Sequence, residues 1–91
     1  MLKKDIIVKN PTGLHARPAS EFVAKAKKFE SKITIRRSGS EQPAKNAKSI
    51  VIVLAMGLGQ GDSMELVAEG PDEEMAITEL AALIDSGFGE I

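Results

Sequence analysis

Ser49-Ile50-Val51-Ile52-Val53-Leu54-Ala55-Met56 can be read two ways, and the fold turns on the choice. A continuous apolar run of this length fits a buried strand or a short helix, because periodicity alone does not separate them. Propensity favours a strand, since Ile50 to Val53 are four β-branched residues in succession. Ser49 favours a helix, because a serine hydroxyl is a preferred N-cap acceptor. The segments on either side are clearer.

Downstream, Gly57-Leu58-Gly59-Gln60-Gly61-Asp62 reads as a loop, and Met64, Leu66 and Ala68 alternate with Glu65, Val67 and Glu69 as one more strand. The spacing then predicts a last helix from Pro71, with Asp72, Glu73 and Glu74 in its first turn to suit the helix dipole. It buries Ile77, Leu80, Ala81 and Ile84 and stops at Gly87. Upstream, Lys32-Ile33-Thr34-Ile35-Arg36 alternates as a half-buried strand, and the turn-rich Ser38 to Pro43 leads into a short third strand. Ala19, Phe22, Val23 and Ala26 follow the spacing of one helical face, which predicts a first helix from Ala16 to about Phe29, with Lys25, Lys27 and Lys28 near its negative pole. Leu2 to Lys9 reads as the first strand, expected at the centre of the sheet because Ile6, Ile7 and Val8 are consecutive aliphatics.

Between that strand and that helix lies Asn10-Pro11-Thr12-Gly13-Leu14-His15-Ala16-Arg17-Pro18-Ala19-Ser20, which contains the only histidine of the chain. The first turn of a helix carries amide N–H groups without intrahelical partners and a partial positive charge, so a loop that opens a helix suits an anion. Imidazole is a nucleophile able to take a phosphoryl group. The amides of Ala16 and Arg17 are candidates to bind the new oxygens, and the Arg17 guanidinium adds a forked cation. Pro18 is tolerated here because its missing N–H falls in the first turn.

This window, with its Gly13-Leu14-His15-Ala16-Arg17-Pro18 core, resembles the active-site loop of the HPr family, the histidine phosphocarriers of the bacterial phosphoenolpyruvate-dependent phosphotransferase system. Similarity continues through Asn46-Ala47-Lys48-Ser49-Ile50, Ala68 to Glu74 and Ser86-Gly87-Phe88-Gly89-Glu90, and so covers essentially the whole chain. The resemblance implies an α+β open-faced sandwich, βαββαβα, with a four-stranded antiparallel sheet under three helices, and therefore a helix entered at Ser49. It implies His15 as phosphoacceptor through Nδ1, with phosphorylated Enzyme I as donor and Enzyme IIA components of sugar uptake as acceptors. It also implies a docking patch of Ile50, Val51 and Leu54 rimmed by Lys25, Lys28 and Lys48. Where an HPr kinase/phosphorylase exists, the family's serine at the position of Ser49 is a regulatory phosphorylation site. The family's K-S-I-M-G run reads Lys48-Ser49-Ile50-Val51-Ile52 here, and the Ser38 to Pro43 turn looks about three residues longer than in HPr proper.

Composition narrows the alternatives. Ninety-one residues suit one domain, 1–91, with a modest core. Twelve basic and 13 acidic residues balance, so overall charge points to neither nucleic acid nor a membrane surface. No cysteine and a single histidine leave no thiolate chemistry and no cysteine- or histidine-rich metal site, and no cofactor is expected. The longest apolar run, Ile50 to Leu58, falls well short of the ~20 residues of a membrane span, and the N-terminal stretch lacks the apolar core of a signal peptide. The expected location is cytoplasmic and the expected role a carrier, not an enzyme. Two related readings stay open: a carrier of the nitrogen-related branch, and a regulatory module acting through phosphorylated Ser49. An unrelated ligand-binding domain would require the loop match to be accidental.

Overall fold

The computed structural model describes residues 1–90. Its elements are β1 (Leu2–Ile7), α1 (Ala16–Ala26), β2 (Lys32–Arg37), β3 (Lys45–Asn46), α2 (Ile50–Ala55), β4 (Ser63–Glu69), α3 (Glu73–Asp85) and a short 3-10 turn at Gly87–Gly89. The four strands form one antiparallel sheet in the order β1-β4-β2-β3. Met64, Leu66 and Ala68 of β4 and Ile33 and Ile35 of β2 point into the core, where they meet Phe22, Val53, Leu80 and Ile84 from the three helices. Alternating Glu65, Val67, Thr34 and Arg36 are only half-buried, as expected of a sheet covered on one face.

The order βαββαβα and the sheet-under-helices architecture are those implied by the sequence, but β1 is not central. It pairs with β4 alone and forms an edge. The consecutive aliphatics that suggested a two-sided burial alternate instead: Ile6 and Val8 are buried, whereas Ile7 is 53% exposed. Lys3 and Lys4 on this strand are exposed and suit an edge, where charge discourages pairing with other chains. Three predicted boundaries also shorten. β1 stops at Ile7 rather than Lys9, α1 at Ala26 rather than Phe29, and α3 begins at Glu73 rather than Pro71. Phe29 is buried beyond the helix end, so an apolar residue in helical phase served a turn.

The ambiguous run is a helix. Six residues are too few to be helical unaided, so the ends and the packing decide. Ser49 is the N-cap, its Oγ accepting from Ile52 N at 3.4 Å, and the Val53 side chain anchors the helix in the core. At the other end the Arg37 guanidinium donates to Met56 O at 2.9 Å, satisfying a terminal carbonyl and placing a cation at the negative pole. Arg37 also pairs with Asp62 at 2.9 Å, and Asp62 accepts from Gly59 N at 2.8 Å. These bonds, the Gly59 amide first and Arg37 second, hold the Asp62 carboxyl below its usual range. They also stiffen the loop 57–62 on which the histidine loop rests.

Candidate phosphoacceptor site

His15 is the N-cap of α1, in extended backbone (φ −129°, ψ 160°), and its side chain is exposed. Neither ring nitrogen has a hydrogen-bond partner among the described residues, so the lone pair of the unprotonated nitrogen is uncommitted. Of the first amides of α1, Pro18 has none, and Ala19 N reaches His15 O at 3.5 Å. The donors left without a partner among the described residues are the amides of Ala16 and Arg17, the two residues that follow His15. Ala16 has φ 47°, the left-handed region, at a cost of about 1–3 kcal/mol for a residue with a Cβ. No sequence signal marks this, since alanine is an ordinary helix former.

Arg17 is the only cation next to His15 in the chain, and its side chain is 69% exposed. Its contact is an i,i+4 pair with Glu21 at 3.7 Å, and exposed pairs of this kind are weak enough to yield to a doubly charged phosphoryl group. A charge-assisted bond from the guanidinium to a phosphoryl oxygen is worth about 1.5–3 kcal/mol, with the helix dipole adding about 0.3–1. This grip suits binding followed by release.

The loop before His15 is held on three sides. Asn10 is fully buried, and its Nδ2 donates to Gly13 O at 2.8 Å, closing a turn with Gly13 N to Asn10 O at 3.1 Å. Beneath, Leu14 N donates to Leu58 O at 2.8 Å, and Gly13 lies so close to Leu58 and Gly59 that a Cβ would stand 2.5 Å from the Leu58 carbonyl oxygen. From outside, Glu90 accepts from the Thr12 amide at 3.2 Å and from the Thr12 hydroxyl at 2.8 Å. Bonds from Thr12, chiefly its hydroxyl, hold the Glu90 carboxyl below its usual range; Asn10 and the Arg17 charge act in the same direction. Sequence reasoning gave Asn10, Thr12 and Glu90 no role, because Glu90 lies 78 residues from Thr12 and nothing local marks the contact.

The remaining sequence-derived site residues separate. Ser49 is half-buried as the α2 cap. Val51 is 72% exposed and Leu54 39%, whereas Ile50 packs partly against the core. Lys25 is paired with Glu79 of α3 at 3.3 Å, and Lys48 Nζ donates to Phe29 O at 2.7 Å. Lys28 is exposed and makes no ion pair among the described residues. Among these residues no cluster of His, Asp and Glu side chains could hold a metal ion, and no helix is long and apolar enough to cross a membrane.

Residues 2–86 match the family described as the PTS HPr component phosphorylation site. The chain is 45% identical over 86 residues to the phosphocarrier protein HPr of Borreliella burgdorferi, covering 94% of this chain and 96% of that one. An HPr-like protein Crh of Halalkalibacterium halodurans stands at a similar 41% over 85 residues, covering 93% and 98%. The chain also matches 21% of the length of a multiphosphoryl transfer protein of Vibrio cholerae, at 43% over 83 residues and 91% of this chain. The crystal structure of HPr-C-His from Thermoanaerobacter tengcongensis superposes with a TM-score of 0.92 at 47% identity, covering 100% of this chain and 99% of that one. A free imidazole at a helix start, two unpaired amides and one loosely held arginine are thus set in a chain that agrees with these relatives along nearly its full length. The chain belongs to the HPr family, the phosphoryl carriers of the phosphotransferase system, whose partners are in general Enzyme I and Enzyme IIA proteins.

Proposed function

We propose that His15 takes a phosphoryl group from the phosphohistidine of Enzyme I and passes it to Enzyme IIA components of sugar uptake in the cytoplasm. The observation that carries this reading is an exposed histidine at the N-cap of α1, with no partner at either ring nitrogen among the described residues, followed directly by the unpartnered amides of Ala16 and Arg17. The neutral ring attacks phosphorus with the lone pair of its unprotonated nitrogen, Nδ1 by resemblance to the family. As the new N–P bond forms, the bond to the donor imidazole breaks in line, and its electron pair returns to the donor ring. The Ala16 and Arg17 amides and the Arg17 guanidinium receive the transferred oxygens. The reverse sequence charges the next protein. Val51 and Leu54, apolar and exposed on α2, are suited to the docking face, with Ile50 partly beneath them. Lys28, which makes no ion pair among the described residues, adds a cation, whereas Lys25 and Lys48 are engaged with Glu79 and the Phe29 carbonyl.

Incubation with phosphoenolpyruvate, magnesium and Enzyme I is expected to yield an acid-labile, alkali-stable phosphate that is absent from His15→Ala. Label retained in that variant would remove the mechanism. Arg17→Ala is expected to fold normally and accept the group about tenfold or more slowly, the loss of one charge-assisted bond. An unchanged rate would show that the guanidinium is idle.

A second role rests on Ser49. Its hydroxyl is half-buried and its bond to Ile52 N is long at 3.4 Å, so it is weakly held for a capping group. Phosphorylation by an HPr kinase/phosphorylase would add about −1.5 to −2 charges beside Val51, favouring the helix while repelling an acidic docking surface on Enzyme I. Acid-stable phosphate formed with ATP and that kinase, absent from Ser49→Ala, is the expected result, and no incorporation would leave Ser49 as a cap alone.

A further inference from the structure

We propose that Glu90 is a positioning residue for phosphoryl transfer, its side chain serving as a latch that holds the outer edge of the His15 loop; this rests on His15 being the phosphoacceptor. The loop 10–13 is braced from within by Asn10 and from below by Leu58 and Gly59, but its outer edge at Thr12 is exposed. Glu90 covers that edge. Its Oε1 accepts from the Thr12 amide at 3.2 Å, the Thr12 hydroxyl at 3.0 Å and Asn10 Nδ2 at 3.4 Å, and its Oε2 lies 2.8 Å from the same hydroxyl. Asn10 Nδ2 also donates to Thr12 Oγ1 at 3.2 Å, so carboxylate, hydroxyl and buried amide form one connected set.

The latch is itself anchored. Phe88, two residues before Glu90, is buried in the core with φ 54°, and this left-handed turn brings the chain back toward the loop. Glu90 N donates to Gly87 O at 2.9 Å, fixing the turn from which the side chain reaches out. The set therefore connects a rigid core residue to the segment three residues ahead of His15. Placing the imidazole for in-line attack demands such constraint, since an ångström of misplacement costs up to about a hundredfold in rate.

The role calls for hydrogen-bond acceptance at Thr12, which a glutamine retains through its carbonyl oxygen. The test measures transfer from phosphorylated Enzyme I to wild type, Glu90→Ala, Glu90→Gln, Thr12→Val and the Glu90→Ala/Thr12→Val double variant, with folding checked by circular dichroism melting. Glu90→Ala is expected to lower the kcat of transfer by Enzyme I about five- to tenfold with the KM of Enzyme I for this protein unchanged, since transfer and not docking is impaired. Glu90→Gln is expected to recover at least half of the wild-type kcat. The double variant is expected to be no slower than the slower single one, as for two partners of one contact. Wild-type kcat in Glu90→Ala, a change confined to KM, failure of Glu90→Gln to recover, or additive losses in the double variant would each overturn the latch. Wild type that accepts no phosphoryl group would instead overturn the phosphoacceptor reading on which the latch rests.

Discussion

Gly13→Ala tests whether the histidine loop is seated as tightly on the 57–62 loop as the geometry indicates. Two costs combine. Gly13 has φ +69°, and a residue with a Cβ loses about 1–2 kcal/mol in that region. The added carbon would stand 2.5 Å from Leu58 O and 2.7 Å from Gly59 Cα, both backbone atoms that no rotamer change can move aside. Overpacking of this kind costs about 1–3 kcal/mol. The total of about 2–5 kcal/mol corresponds to a fall in Tm of about 10–30 °C for a domain this size. Displacing the Leu58 carbonyl instead would strain the bond it accepts from Leu14 N. Gly39→Ala is the matched control: its φ is +77°, yet nothing lies within 4 Å of the added carbon. It bears the conformational cost alone, about 1–2 kcal/mol. Thermal melting of the two variants in parallel isolates the contact, and Gly13→Ala is expected to melt well below Gly39→Ala. Melting temperatures within about 3 °C of each other would refute the tight seat.

Two further outcomes follow from the same physics. Asp72 accepts from the Ser31 hydroxyl and from the Glu30 and Ser31 amides, and these bonds, the Ser31 hydroxyl first, hold its carboxyl below the usual range. Its stabilisation is therefore fully present above the unfolded carboxylate value of about 3.9 and is lost as pH falls through the lower folded value. Melting curves should show Asp72→Asn less stable than wild type at neutral pH, with the gap closing below about pH 4; a gap independent of pH would count against the assignment. Val51→Asp is expected to leave stability within about 0.5 kcal/mol, because the side chain is 72% exposed. It should raise the KM of Enzyme I for this protein about tenfold, as expected for loss of an apolar contact at a docking centre. An unchanged KM would move the docking face elsewhere.

Strands and amphipathic helices were legible because their evidence is local. Alternation in Met64 to Ala68 and helical spacing from Ala19 to Ala26 each predict a buried face that the core confirms residue by residue. The exposed N-cap position of His15 was legible for the same reason, since a turn, the histidine and the first helical residues adjoin in sequence. The Ile50 to Met56 run was not, because intrinsic preference favours a strand and the deciding groups include Arg37, far upstream. That helix came from family resemblance and not from the residues themselves.

Placement of β1 depended on which strands close around β4, a competition among non-local pairings that consecutive aliphatics cannot report. The lysines show the same limit. The contacts of Lys25 with Glu79 and of Lys48 with the Phe29 carbonyl are supplied by the fold, and nothing near either lysine in sequence marks them. By itself the sequence determined every element but α2, together with the buried faces and the histidine-bearing loop, because each depends on residues within a turn or two of one another. Tertiary structure alone decided the edge position of β1, the left-handed backbone at Ala16 and the contact of Glu90 with Thr12. Those depend on chain segments brought together only when the core closes, and hydrogen bonds across such distances leave no periodic trace.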